Sequence, residues 1–423
     1  MSQQWIERWR ETCADLAELE RSNPMTDAVI DEVDGRMIRV GDRWLADFAS
    51  CNYLGFDLDR SIIDAVPAYL ERWGTHPSWS RLLGSPVLYE QIEQGLTELL
   101  GCDDVLLLPT ITLIHLSVIP VLAAGGTVFV DRRAHKTIYE GAQFASVRGA
   151  TLKRFEHEDL AELERQLRAD RSATRLICID GVNSITGNVP DLNGLAALAR
   201  RYDAILYVDD AHGFGVIGER HPLELRPCGR RGNSVVRYSG ESYDHIVLVG
   251  GLSKAYSSLA AFVACPRELK RLLKTAASPY LYSGPSPTAS LATAIAGLEA
   301  NEARGDEIRA RLWDKTDTVL RCLRRLGAHT PNRSGFPIIE VPLAHGAQID
   351  AVGRFLFEHG IYVTLAAYPL VPRDEVGFRI QVTDANTVAE IEHLVEVLGK
   401  LANAFDLQPA RSPGVAAGAE VAA

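Results

Sequence analysis

A chain of 423 residues, 47% hydrophobic and 23% charged, has the composition of a folded globular protein and the length for two or more domains with a sizeable core. Its formal net charge of −11 excludes the broad basic face that nucleic acid or an anionic membrane requires, and leaves room for a basic pocket in one cleft. The seven cysteines are scattered, odd in number and without CxxC spacing. Neither a disulfide framework nor a metal site is expected, and the reducing cytosol (a cytoplasmic location) fits best.

The start, MSQQWIERWRETCADLAELE, is polar and amphipathic and has no apolar core of a secretory signal. An N-terminal arm over residues 1–47 ends in DGRMIRVGDRWLADFAS, whose turns and alternation predict a hairpin. Residues 48–305 form a large domain in which short apolar runs alternate with helical stretches. DVLLL, TVFV, RLICID, AILYVD, HIVLVG and AFVAC are the expected strands, apolar throughout as strands covered on both faces of a parallel sheet should be. Between two of them, DLNGLAALARRY places Leu192, Leu195, Leu198 and Ala199 on one helical face, with Asp191 as N-cap. The longest apolar stretch, residues 113–130, is interrupted by His115, Ser117, Pro120, Gly125 and Gly126. A helix through it should break, so no membrane span is expected.

The alternation implies an α/β fold, a doubly wound and mainly parallel sheet. Residues 306–404 change rhythm, with strands around PIIEVPL, GIYVTL and GFRIQVT and then a helix whose apolar face is Val388, Ile391, Leu394, Val395 and Leu398. This is a smaller α+β domain. The tail, 405–423, is rich in Ala, Gly and Pro without periodicity and is expected to be disordered.

Ligands of open α/β sheets bind beyond the carboxyl ends of the strands, and three such ends carry polar residues. AILYVDDAHGFGVIG ends at Asp209, three residues before His212. Such a carboxylate serves equally to bind a metal, cap a loop or partner a heterocyclic cation. HIVLVGGLSKAYSS carries a lone Lys254 among glycines and serines, where backbone approaches a ligand closely. A desolvated lysine loses part of its preference for the charged form, as an amine attacking a carbonyl requires. TVFVDRRAHKTIYEGA puts His135 just past a strand, where a structural histidine is the alternative. Together the three suit pyridoxal phosphate, which needs a lysine for its Schiff base, an acid for its ring nitrogen, a group over the ring and a hydroxyl-rich cup for phosphate.

The order of motifs resembles the α-oxoamine synthase family of fold type I pyridoxal-phosphate enzymes. The matching pieces are NYLG at 52–55, SRLL at 80–83, D-x-x-A-H at 131–135, DGVNSITGNVPDL at 180–192, VDDAHGFGVIG at 208–218, LSKA at 252–255, GIYV with YPLVP, and FRIQVTDANT at 378–387. The resemblance implies a fold type I transferase with a large cofactor-binding domain and a smaller C-terminal one. It makes Lys254 the Schiff-base lysine and Asp209 the partner of the ring nitrogen. His135 would stack on the ring and His212, assisted by Ser184, would bond near the phenolic oxygen. Arg379 matches the arginine that grips the amino-acid carboxylate, a task suited to a guanidinium fork. Asn52 and Ser80 match positions near the substrate. Ser283, in Tyr282-Ser283-Gly284, matches a segment lent to the phosphate of the other subunit in a homodimer.

Departures fall on the phosphate cup. Gly251 stands where the family has threonine, and the stretch commonly reading S-G-[FY]-x-A-N is Thr110-Ile111-Thr112-Leu113-Ile114-His115. Thr110 and Thr112, with Ile111 between them and Ser253 or Ser258 helping, would restore the hydroxyls. Ala260 and Ala261 replace paired glycines, and Trp79 enters a loop of small residues. The implied activity is an acyltransferase that condenses a small α-amino acid with an acyl thioester, carried by coenzyme A or a carrier protein, with loss of carbon dioxide to give an α-aminoketone. Aminotransfer or aldol-type cleavage is the alternative, since one fold hosts all three. A cofactor-binding regulator would need a DNA-reading module, for which the arm is too short and too acidic.

Overall fold

The computed structural model describes residues 13–221 and 227–410, together with Glu7. They divide into two compact units, one of residues 51–313 and 383–385, the other of the described parts of 1–50, 314–382 and 386–423.

The larger unit is built on a seven-stranded sheet. Its strands are β1 (Asp104–Leu108), β2 (Thr127–Asp131), β3 (Thr151–Phe155), β4 (Arg175–Asp180), β5 (Ile205–Asp209), β6 (Ile246–Gly251) and β7 (Ala261–Cys265). The order across the sheet is β1-β7-β6-β5-β4-β2-β3. β7 runs antiparallel to both its neighbours, and the remaining pairs are parallel. All six predicted runs are strands of this sheet. β2, β6 and β7 are buried along their whole length, as a sheet covered on both faces demands. β3, an edge strand reading TLKRF, is only partly buried and lacked the apolar signature for that reason. Cys178 and Cys265 are buried within β4 and β7.

Capping residues place the helices. Asp191 accepts the amide of Gly194 at 3.0 Å and starts the predicted helix, Leu192–Arg201. Thr110 starts the helix Ile111–Ala123 by accepting the amide of Leu113 at 3.3 Å. That helix runs through Pro120 instead of breaking there. The stop comes at Ala124, at φ 45°, and the two glycines after it. Gly126 has to be glycine, since a Cβ there would stand 2.1 Å from the carbonyl oxygen of Thr174. No helix of the described residues is long and apolar enough to cross a membrane.

In the smaller unit the predicted hairpin is a meander of Glu32–Asp34, Met37–Val40 and Arg43–Asp47, turning at Gly35 and Gly41, both at positive φ. Ile361–Tyr362 adds a parallel strand to it. A second sheet orders Ile338–Pro342, Gly377–Gln381 and Thr364–Ala366, all antiparallel. The helix Val388–Ala404 opens with a capping box between Thr387 and Glu390. Its buried face is Ile391, Leu394, Val397, Leu398 and Leu401, and Val388, in its first turn, is 67% exposed. Residues 405–410, expected to be disordered, are held by bridges from Leu407 to Leu343 and Pro409 to Ala328. The rest of the tail lies outside the described residues.

Candidate active site

Beyond the carboxyl ends of the parallel strands lies a cavity of about 150 Å³ lined by Lys254, Ser253, His135, Asp209, Ala211 and His212, with Ser184, Ile111 and Thr112 also on its wall. Each lining side chain has a local reason for its position.

Asp209 ends β5 and is 5% exposed. Its Oδ1 accepts the amide of Ala211 at 3.0 Å, and its Oδ2 is 3.0 Å from Nε2 of His115. His115 is fully buried on the helix Ile111–Ala123, and its Nδ1 is 2.8 Å from the hydroxyl of Tyr207. Burial works to raise the Asp209 carboxyl, but the His115 hydrogen bond and the nearby Lys254 help to outweigh it and leave it below its ordinary value. Neighbouring Asp210 faces elsewhere. It is completely buried, its Oδ2 accepts the amide of Val235 at 2.9 Å, and burial pushes its carboxyl well up.

The D-x-x-A-H stretch folds around Asp131, which accepts the amide of Arg133 at 2.7 Å and pairs with His157 at 2.9 Å. His135 then becomes the N-cap of the helix Lys136–Val147. Its amide donates to Asp180 Oδ1 at 2.9 Å, and its Nδ1 lies 2.8 Å from Thr137 Oγ1. Desolvation lowers the His135 pKa, with the Asp209 charge opposing and the Lys254 cation adding to it. His212 is held through Nδ1, 2.8 Å from the hydroxyl of the fully buried Tyr53.

The phosphate-cup candidates separate. Ile111 and Thr112 reach the cavity at the start of a helix whose first amides have no carbonyl partners within it, an arrangement that favours an anion. Thr110 uses its hydroxyl as the cap of that helix. Ser253 lines the cavity, whereas Ser258 turns inward and donates to the carbonyl of Ser290 at 2.5 Å.

Asn52, Ser80, Ser283 and Arg379 are not among the lining residues. Asn52 donates to Asp57 Oδ2 at 2.9 Å. Ser80 donates to the carbonyl of Leu281 at 2.7 Å, tying its loop to the segment that carries Ser283. Arg81 of the same motif is buried against Tyr89, with Glu93 accepting from it at 3.0 Å, so it locks the loop. Arg379 belongs to the smaller unit, on Gly377–Gln381, directly opposite Glu340 and Thr364.

Four residues of the site were missed from sequence. Asp180, at the end of β4, shares the register of Asp209 and lines the cavity. Its strand-end position was a usable signal. Tyr53, His115 and Tyr207 sit in apolar surroundings where nothing local marks a polar role.

These residues fit pyridoxal phosphate: a lysine at the rim, a buried carboxylate kept anionic, a ring-sized gap between strand ends and a helix start for phosphate. The family model "Aminotransferase class I and II" matches residues 45–398. The 8-amino-7-oxononanoate synthase of Chromobacterium violaceum is 32% identical over 388 residues, 90% of this chain and 96% of that protein. The enzyme of the same name from Chromohalobacter salexigens is 34% identical over 355 residues, 83% of this chain and 88% of that one. A serine palmitoyltransferase solved with its pyridoxal-phosphate internal aldimine superposes with a TM-score of 0.84 at 23% identity, covering 93% of this chain and 96% of that one. The strand-end constellation and these full-length likenesses agree, and the chain belongs to the α-oxoamine synthases of the aminotransferase class I and II family.

Proposed function

We propose that this enzyme is a pyridoxal-phosphate-dependent acyltransferase that condenses a small α-amino acid with an acyl thioester, carried by coenzyme A or a carrier protein, releasing carbon dioxide and an α-aminoketone. The observation that carries it is the gathering of Lys254, Asp209, His135 and His212 around one cavity at the sheet's carboxyl edge. Relatives named 8-amino-7-oxononanoate synthase over most of the chain support this reaction class.

When bound, the cofactor supplies an imine-forming aldehyde and a ring that withdraws electrons from the substrate's Cα. Lys254 would hold it through Nζ and is placed to serve as the base for the substrate's Cα proton. Asp209 would hold the ring-nitrogen proton, which a buried anion does better than a neutral carboxyl. His135 would cover the ring, and His212, braced by Tyr53, would bond on the phenolic side together with Ser184. Ile111, Thr112 and Ser253 would receive the phosphate, with Thr110 capping the helix they begin. From the resemblance, Arg379 grips the substrate carboxylate and Asn52 and Ser80 lie near the substrate.

A homodimer is part of this reading. Tyr282 and Leu83 are each 83% exposed and Trp79 is 58% exposed, an apolar surface on two loops joined by the Ser80–Leu281 hydrogen bond. A partner covering it would receive Ser283 at its phosphate. A cytoplasmic location accompanies the cysteine usage.

The test is to supply purified protein with amino acids singly and with acyl thioesters of increasing length. Equal release of carbon dioxide and free thiol, with the cofactor recovered as the aldehyde, is the expected result. Pyridoxamine phosphate and a keto acid without carbon dioxide would replace this reading with aminotransfer.

A further inference from the structure

Residues 207 and 209 are two apart on β5 and therefore project from the same face of the sheet. His115 lies across that face and touches both, 2.8 Å from the Tyr207 hydroxyl and 3.0 Å from the Asp209 carboxylate. All three are buried, His115 and Tyr207 completely. The chemistry of the groups orders the chain of protons. An ionised carboxylate only accepts, so Nε2 of His115 carries the hydrogen that it gives to Asp209. A neutral imidazole has one N–H, which leaves Nδ1 to accept from Tyr207. The phenol thereby selects the tautomer that points a donor at Asp209.

A buried imidazole in an apolar helix is costly unless its bonds are used, and here the bond it gives is to the acid at the cavity floor. Asp180 and Lys254 flank that acid on the cavity side. Removing the histidine would leave Asp209 beside Asp180 with one fewer donor.

We propose that His115, oriented by Tyr207, is a positioning residue that keeps Asp209 anionic so that Asp209 holds the cofactor's ring-nitrogen proton. This rests on Asp209 being the ring-nitrogen partner. The experiment measures the dissociation constants of apoprotein for pyridoxal phosphate and for its 1-deaza analogue, in which carbon replaces the ring nitrogen. Wild type should prefer the natural cofactor. His115→Leu should weaken pyridoxal phosphate on the order of tenfold, the worth of a hydrogen bond to a charged group, and leave the deaza analogue within about twofold, an allowance set by the few tenths of a kcal/mol that an unrelated site contributes. His115→Gln, whose amide can still reach Asp209, should recover most of the preference. Tyr207→Phe should lose part of it, and it serves as the probe if the leucine variant does not fold. Equal weakening of both ligands, or no weakening of either, would reduce His115 to a packing residue and overturn the proposal. A wild type that does not distinguish the two ligands would instead remove Asp209 from the ring nitrogen, which is a failure of the underlying reading.

Discussion

Asp180 and Asp209 end neighbouring parallel strands as direct partners in the ladder, yet their surroundings push their carboxyls in opposite directions. Burial and the adjacent Asp209 charge raise Asp180 well above its ordinary value, while the His115 hydrogen bond helps to hold Asp209 below it. Two like charges at adjacent strand ends disfavour joint ionisation, and the donor on one side decides which keeps its charge. Asp180 Oδ2 is buried with no hydrogen-bond partner among the described residues.

The raised Asp180 predicts a pH-dependent stability. Its folded value lies above the unfolded one, so its contribution is complete below the ordinary value of 3.8 and is lost as pH rises toward the folded value. Asp180→Asn removes that loss and keeps an oxygen to accept the His135 amide. Apoprotein carrying it should melt higher than wild type at neutral pH, with the two melting curves converging as pH falls to about 4. A variant less stable than wild type at neutral pH, with the difference vanishing as pH falls to about 4, would show that Asp180 is needed as an anion.

Lys254→Ala should lose turnover by at least about a thousandfold and lose the visible absorbance of the cofactor bound through Nζ. Cofactor content and spectrum after reconstitution are the measurement. An unchanged spectrum would place the covalent bond on another lysine.

Asp209 and Asp210 are adjacent in sequence but face different partners, His115 and the amide of Val235. Asp209→Asn should weaken cofactor binding and slow Cα deprotonation, since an amide cannot hold the ring-nitrogen proton as an anion does. Asp210→Ala strips the acceptor from the Val235 amide in a fully buried place. It should lower stability by about 1–3 kcal/mol and leave the spectrum of cofactor-loaded protein as it was. A spectral change in the Asp210 variant, with stability intact, would reverse the two roles.

Much of this site was legible because its chemistry sits where apolar strands stop. Asp209, Lys254 and His135 each follow a run that periodicity alone marks as buried, and the motifs around them kept their spacing. What stayed hidden has physical reasons. β3 is an edge strand and carries the polar residues an edge tolerates. His115 falls within an apolar helix, where it reads as an interruption until folding brings Asp209 and Tyr207 against it. Tyr53 is 159 residues from His212 in sequence, and no local pattern reports a contact of that span. Pro120 misled because a buried helix, packed on the sheet, outweighs one lost backbone bond.

Two consecutive glycines, Gly250 and Gly251, end β6 and look interchangeable in sequence. A Cβ on Gly251 would meet Cδ1 of Ile111 at 2.8 Å, the far end of a side chain that can swing away. Gly251→Thr should therefore fold, and it adds a hydroxyl beside the cup where the family pattern has one. Its expected effect is unchanged or tighter cofactor binding with a small change in melting temperature. Gly250 is directly opposite Phe262 in the ladder, and a Cβ there would stand 2.2 Å from the ring. That ring is fully buried and packs edge-on against Phe214 at 4.8 Å, so it has nowhere to move. Gly250→Ala should cost about 1–3 kcal/mol or more through overpacking and reduce soluble yield. Melting temperatures of the two variants, measured with and without cofactor, separate the positions. A Gly251 variant that loses the fold while the Gly250 variant keeps it would mean that the wall of the cup is packed against a different side chain than Ile111.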